Sequence, residues 1–271
     1  MGTNHFLKHL KYDLVSGFYY NRRKWILGLG VFVLISDVSI NNCNIMGVNA
    51  GYMGYFTYIM QGMPEYIKTE TSIFRLPVCW LLFHAYLFFI LCFYPLNDLI
   101  GSGQRILVLS ENRNKWWYSK ICWCILTVIG YYTLFCLSLS GMSLVEGTPS
   151  GGIDGISMYM GIDLHLISFG KFILVWIFMP ILFSVTIGLL QMLIGIILKP
   201  VAAYGTSILI LIASVYWLNP LMIGNYAMLL RNQPFTQDGV VPYIGIVLCI
   251  AASAFSTIVG SIAIEKKDII G

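Results

Sequence analysis

From 76 to 97, from 121 to 145 and from 172 to 198 the chain carries no Asp, Glu, Lys or Arg. Each run reaches or exceeds the ~20 apolar residues that cross a bilayer core. Hydrocarbon offers nothing to backbone N–H and C=O groups, so only helices or closed barrels can span it. None of these runs shows the strict alternation that a barrel strand needs. The fold class that follows is an all-α integral membrane protein, a six-span helical bundle. Spans are expected at about 24–40, 76–96, 117–141, 170–198, 201–218 and 241–264, within a single transmembrane domain 1–271. Lys199-Pro200 marks a tight turn between spans four and five, where proline ends the preceding helix.

With 58% hydrophobic and only 10% charged residues, the chain has no room for a large soluble domain beside the bundle. The net charge of +4 is spread over membrane-flanking positions, which excludes a nucleic-acid role. The first apolar run begins after Arg22, Arg23 and Lys24, and no small-residue cleavage pattern follows it. An uncleaved first span is therefore expected. Of the seven cysteines, Cys79, Cys92, Cys122, Cys124, Cys136 and Cys249 lie in apolar runs, and Cys43 is expected to face water. No CxxC pair occurs, so neither a disulfide framework nor a metal site is expected.

Orientation follows from Lys and Arg. An N-terminus on the inside places Lys8, Lys11, Arg22, Arg23, Lys24, Arg105, Arg113, Lys115, Lys120, Lys199, Lys266 and Lys267 on the cytoplasmic side. Lys68, Arg75, Lys171 and Arg231 remain outside. Both termini are then cytoplasmic. Residues 44–63 are apolar enough to resemble a span, but crossing there moves the basic 105–120 segment outside. They are expected to form an outer-surface or partly re-entrant loop, in which the Gly47–Gly51 spacing reflects flexibility rather than helix dimerisation. Trp25, Trp116, Trp117 and Tyr118, beside basic residues, are expected to form an interfacial aromatic belt.

Two inner-surface elements stand out. In the N-terminal segment 1–23, Phe6, Leu7, Leu10, Leu14 and Phe18 share a helical stripe, with Lys8, His9, Lys11 and Asp13 between them. That pattern predicts an interfacial helix lying along the inner membrane surface before the chain turns into span one. The second element is the polar island 98–120, with a cytoplasmic region at 97–116. Ile106, Leu107 and Leu109 stand beside Arg105, followed by Glu111, Arg113 and Lys115. An apolar tip ringed by charge suits a helix that docks in a partner's groove. An ordinary membrane-anchoring loop is the other reading.

Catalytic motifs are missing from the sequence. It holds no GxxxxGK[ST] loop, no HExxH and no GxSxG. His84 is expected to be a hydrogen-bonded bundle residue. Glu146, Asp154, Asp163 and His165 fall in a glycine-rich outer loop, 141–168, whose spacing suits a solvated loop rather than a metal site. Asp37 and Arg75 stand near the outer ends of spans one and two, where they are candidates to pair. Between spans five and six, 219–235 alternates helix breakers with a short apolar piece. It fits either a half-inserted helical hairpin or a surface helix. As a hairpin it is a candidate outer gate closed by Asn219, Asn225 and Arg231.

The whole layout resembles the membrane (permease) subunit of an ABC type-2 exporter. The features that carry the resemblance are the interfacial N-terminal helix, six spans, the basic loop YPLNDLIGSGQRILVLSENRNKWWYSK (94–120), the Lys199-Pro200 turn and the interrupted segment before the last span. The resemblance implies a plasma-membrane permease subunit that pairs with a second permease copy or a paralogue, and with cytosolic ABC ATPase subunits. ATP and Mg then belong to the partner ATPase, no cofactor belongs to this chain, and the chain is not itself an enzyme. Carried over, Asp98, Gln104, Arg105, Leu107, Glu111 and Arg113 become ATPase-coupling contacts on a short cytoplasmic coupling helix. The implied substrate is amphipathic or hydrophobic, with a peptide exported from a bacterial cell as the preferred class. A non-transport membrane scaffold or sensor that recruits a cytosolic partner is the alternative. The acidic loop 141–168 has no counterpart in the family pattern.

Overall fold

The computed structural model describes residues 2–48, 50–68, 74–101, 113–148, 157 and 167–266, with side chains from Leu7 onward. All regular elements among them are helical. These are α1 (Gly2–Ile45), α2 (Tyr52–Met60), α3 (Val78–Cys92), α4 (Tyr94–Ile100), α5 (Arg113–Val145), α6 (Phe169–Ile197), α7 (Pro200–Tyr216) and α8 (Pro242–Lys266). Five helical stretches are long and apolar enough to cross a membrane: Leu7–Ile45, Val78–Ile100, Arg113–Val145, Phe169–Ile197 and Pro242–Lys266. At 17 residues, α7 is shorter than these.

Local sequence explains the breaks. The bend at Phe93 between α3 and α4 precedes Pro95, which lacks the N–H that a continuous helix needs. In α6 the turn Leu174–Phe178 widens to π geometry just before Pro180, relieving the clash of that ring with the preceding turn. The ends of α1 and α5 are set by Gly47 (φ 68°) and Gly147 (φ 71°). The following N–H groups of Val48 and Thr148 return to the carbonyls of Cys43 and Ser143, at 2.9 and 3.0 Å. This is the left-handed cap that glycine adopts without strain.

The predicted turn between an interfacial helix and span one is not present. Helix α1 runs unbroken for 44 residues, about 66 Å at 1.5 Å per residue, more than twice the bilayer core. No proline interrupts it, and its small residues serve packing: the Trp123 indole covers the backbone of Gly17. The helix also carries Cys43 into the core at 0% exposure, so this thiol does not face water. Its apolar stripe is turned outward, with Leu7, Leu14 and Phe18 exposed, while Asp13, Gly17 and Asn21 face the protein. In lipid that arrangement is favourable, because the solvent around the helix is itself apolar.

Helix α1 packs mainly on α5, and α6 packs on α7 and α8. Contacts along the bundle define two ends. At one end, Asp13 of α1 meets Lys120 of α5. There too the Cys92 thiol donates to the carbonyl of Pro200 at 3.1 Å, and Arg113 donates to the carbonyl of Glu265 at 3.1 Å. The N-terminal half of α1, the end of α4, the start of α5, the α6–α7 turn and the C-terminal end of α8 therefore gather together. At the opposite end lie α2 and the 217–241 connection. Segment 44–63 forms the short, mostly buried helix α2 between Gly51 and Gln61. Tyr55 bonds Thr148 at 3.0 Å, and Trp176 donates to Thr57 at 3.0 Å. Gly47 and Gly51 belong to different elements, a helix cap and the residue before α2, so they form no helix-dimer face.

Candidate functional site

The most unusual chemistry sits at the basic end. Lys120 is 0% exposed, and its ammonium donates to both Asp13 and Asp98, the latter at 2.6 Å. Around this triad, Tyr94 donates to Asp13 at 3.0 Å and Trp116 Nε1 donates to Asp98 at 2.9 Å. Ser119 also donates to Asp13. The ammonium lies 4.4 Å above the Tyr94 ring and 5.0 Å from the Trp116 ring. Charges removed from water are tolerated only when paired and fully hydrogen-bonded, and this cluster meets that condition. It joins three elements: Asp13 on α1, Asp98 on α4 and Lys120 near the start of α5.

The triad flanks the segment expected to couple to a partner. Asp98 lies just before that segment and Lys120 shortly after it, so both of its ends are tied to α1. Of the expected contacts, Gln104, Arg105, Leu107 and Glu111 lie outside the described residues. Asp98 is only 5% exposed, and its carboxylate is engaged by Lys120 and Trp116. Arg113 opens α5 and ties it to the end of α8 through Glu265. The expected aromatic belt is also partly internal. Trp116 and Trp117 are buried, the first on Asp98 and the second donating to the carbonyl of Thr257 at 2.9 Å, while Tyr118 is exposed.

In sequence, Asp13 and Lys120 resemble surface charges of the inner face. One signal was available. Asp13, Gly17 and Asn21 recur every four residues, a small-polar stripe beside the apolar one, and such stripes face protein in membrane helices.

At the opposite end the structure brings Asn219, Asn225 and Arg231 together. The Arg231 guanidinium, 1% exposed, bonds the carbonyls of Ser214 and Val215 at 2.5 Å and of Trp217 at 3.0 Å. It also reaches the carbonyl of Met63 at 3.0 Å and Oδ1 of Asn225 at 2.6 Å. Asn225 in turn donates to the carbonyls of Trp217 and Asn219, so Asn219 contributes through its backbone. The arrangement caps the C-terminus of α7, where unpaired carbonyls and the helix dipole favour a cation. Burial lowers the Arg231 pKa to about 10, with Glu65 opposing the shift, so the group stays charged at neutral pH. In place of a helical hairpin, 219–235 forms the short 3-10 turns Ile223–Ala227 and Leu229–Arg231, held by Trp80 on the carbonyl of Ala227 at 3.0 Å.

His84 is fully buried at mid-bundle, with Nδ1 2.9 Å from the carbonyl of Trp80 and Nε2 3.3 Å from the Tyr132 hydroxyl, which in turn bonds Ser184. It is a hydrogen-bonded packing residue, as its sequence context suggested. Asp37 and Arg75 are both exposed and form no ion pair with each other. Glu146 is exposed near the end of α5, while Asp154, Asp163 and His165 lie outside the described residues. All seven cysteines are free thiols. Among the described residues no group of three His, Cys, Asp or Glu side chains converges as a metal site. No protein-family model, curated protein or solved structure matches the chain.

Proposed function

We propose that this chain is the permease subunit of an ATP-driven ABC exporter, working with a separate cytosolic ATPase and a second permease copy or paralogue. The observation that carries the reading is the buried Asp13–Lys120–Asp98 triad, which bridges the two ends of the 102–112 segment onto α1. A partner that pushes on this segment displaces α4 and α5 together, and through Asp13 the helix α1 as well. Packed elements transmit such displacement because interiors have low compressibility. A loop that only anchors to lipid has no need of a costly buried ion network at its base.

On this reading ATP and Mg belong to the partner chain, and this chain converts the partner's closure into rearrangement of the bundle. The helices α1, α3–α4, α5, α6, α7 and α8 make six crossings, with both termini on the cytoplasmic side of the plasma membrane. The substrate is amphipathic or hydrophobic, a peptide being the preferred class. Asn219, Asn225 and Arg231 close the outer end, as the cap of α7.

Co-expression with a candidate cytosolic ABC ATPase subunit tests the assignment. Leu107→Asp or Arg105→Glu is expected to abolish co-purification while the membrane protein keeps its elution profile. Unimpaired assembly in both variants removes the coupling assignment. In reconstituted vesicles, ATP-stimulated movement of substrate separates a permease from a scaffold that binds its partner without transport.

A further inference from the structure

A groove of about 660 Å³ opens at the basic end between α1 and α4. Tyr19 and Tyr20 of α1 and Asn97 of α4 line it, with Arg22 and Arg23 on its rim. Both arginines are exposed, and neither forms an ion pair among the described residues. The Arg22 guanidinium lies 4.4 Å from the centre of the Tyr19 ring. A guanidinium stacked by its face keeps its N–H edge for other acceptors. Asn97 donates to the Tyr20 hydroxyl across the groove, so that oxygen already accepts and its own O–H is left to donate. Deeper in, the negative charge is already engaged. Lys120 and Trp116 hold Asp98, while Lys120, Tyr94 and Ser119 hold Asp13. Lys24, donating to the carbonyl of Phe89 at 3.0 Å, adds a further cation beside the Tyr20 ring.

Among the described residues around the groove, Arg22, Arg23, Lys24 and Lys120 face Asp13 and Asp98, a formal excess of two positive charges. The groups left to bind a ligand, two guanidiniums and the Tyr20 hydroxyl, are donors. Their complement is an anion with several acceptor oxygens and no cation of its own. We propose that the groove binds the phosphodiester of an anionic phospholipid, held between Arg22 and Arg23 with Tyr20 donating to it. Guanidinium forks suit phosphate oxygens, and basic pockets between helices at the inner membrane face take anionic headgroups. A zwitterionic headgroup brings an ammonium that finds neither carboxylate free. The rings of Tyr19, Tyr20 and Tyr94 already carry Arg22, Lys24 and Lys120. Arg22 and Arg23 also stand just before the charge-free run 25–36, which places them at headgroup depth. One turn further on, exposed Ile26 and Leu27 offer the acyl chains an apolar path. This ligand is independent of whether the 102–112 segment meets an ATPase.

Native mass spectrometry of the full chain, released from nanodiscs of equal parts phosphatidylglycerol, phosphatidylethanolamine and phosphatidylcholine, tests the assignment. The wild type is expected to retain the glycerol lipid over the other two by at least about tenfold, the discrimination that ~1.4 kcal/mol supplies. Arg22→Gln/Arg23→Gln is expected to remove that preference while intrinsic tryptophan emission stays unchanged. Tyr20→Phe is expected to lower it by about threefold or more, the share of one hydrogen bond. Lys8→Gln/Lys11→Gln, which removes the same charge from exposed positions outside the groove, is expected to leave it intact. Equal loss in the lysine and arginine pairs overturns the proposal in favour of a merely basic surface. Preference unchanged in the arginine pair places the lipid elsewhere. Equal or greater retention of either zwitterionic lipid by the wild type overturns the charge argument. Full displacement by soluble glycerophosphoglycerol at equal concentration overturns the lipid source and leaves a site for the free ester.

Discussion

Arg231 shows how one side chain can stand in for a missing turn of helix. The end of α7 leaves carbonyls that water satisfies in a soluble protein. Here Ser214, Val215 and Trp217 present theirs to a guanidinium 1% exposed, which also collects Met63 and Asn225. Each orphaned buried polar group costs about 1–3 kcal/mol. Arg231→Gln is therefore expected to destabilise the protein by roughly 3 kcal/mol or more, read as a lower thermal midpoint in detergent. Arg231→Lys keeps the charge but not the planar fork, so it should recover only part of the loss. A midpoint within error of the wild type for Arg231→Gln excludes the cap as a stability element. The sequence made Arg231, Asn225 and Asn219 candidates because they were polar groups in an apolar stretch. It held no sign that their partners were backbone carbonyls of the preceding helix.

Between elements, the Asp13–Lys120–Asp98 triad holds α1, α4 and α5 in one register. Removing a single partner of a buried pair costs about 3–5 kcal/mol, because the remaining charge is stranded. Lys120→Met, which leaves two carboxylates without a cation, is thus expected to unfold or misassemble the basic end. Adding Asp13→Asn and Asp98→Asn to it removes the stranded charges and is expected to restore most of the stability. If coupling runs through the triad, the triple variant folds, binds the partner ATPase and fails to stimulate it. A triple variant no more stable than Lys120→Met shows that stranded charge was not the cause. The elements themselves were largely legible. Charge-free runs located α3, α5, α6 and α8, and Lys199-Pro200 located the turn before α7. What did not follow was the unbroken 44-residue course of α1, because an apolar stripe looks the same on a helix lying along a surface and on one that continues into a span. Leu14 and Phe18 are exposed, while Asp13, on the other side of the helix, was assigned to water and lies in the core. Its partner Lys120 is more than a hundred positions away, beyond the reach of any local pattern.

At the scale of the molecule, the open quantity is the number of crossings, and it turns on α7. Five helical stretches have the length and composition to cross, and an odd number places the termini on opposite sides. Helix α7 has 17 residues, about 26 Å, slightly less than the ~30 Å hydrocarbon core. Yet it starts beside Cys92 at the basic end and finishes against Arg231 at the other, so it runs from one end cluster of the bundle towards the other. The irregular 217–241 segment continues from its end, with backbone carbonyls satisfied by Arg231, Asn225 and Asn232, as a segment entering the membrane requires. Six crossings are therefore expected, with both termini on one side. Single cysteines at Lys11→Cys, Lys266→Cys and Asp238→Cys, all exposed positions, can be read with a membrane-impermeant maleimide. The native thiols are buried or half-buried, so the wild type serves as the blank. Positions 11 and 266 are expected to react only in inverted vesicles, and 238 only in right-side-out ones. Labelling of 11 and 266 from opposite faces means that α7 does not cross, and the inner assignment of the α4–α5 segment then has to be made again from its own labelling.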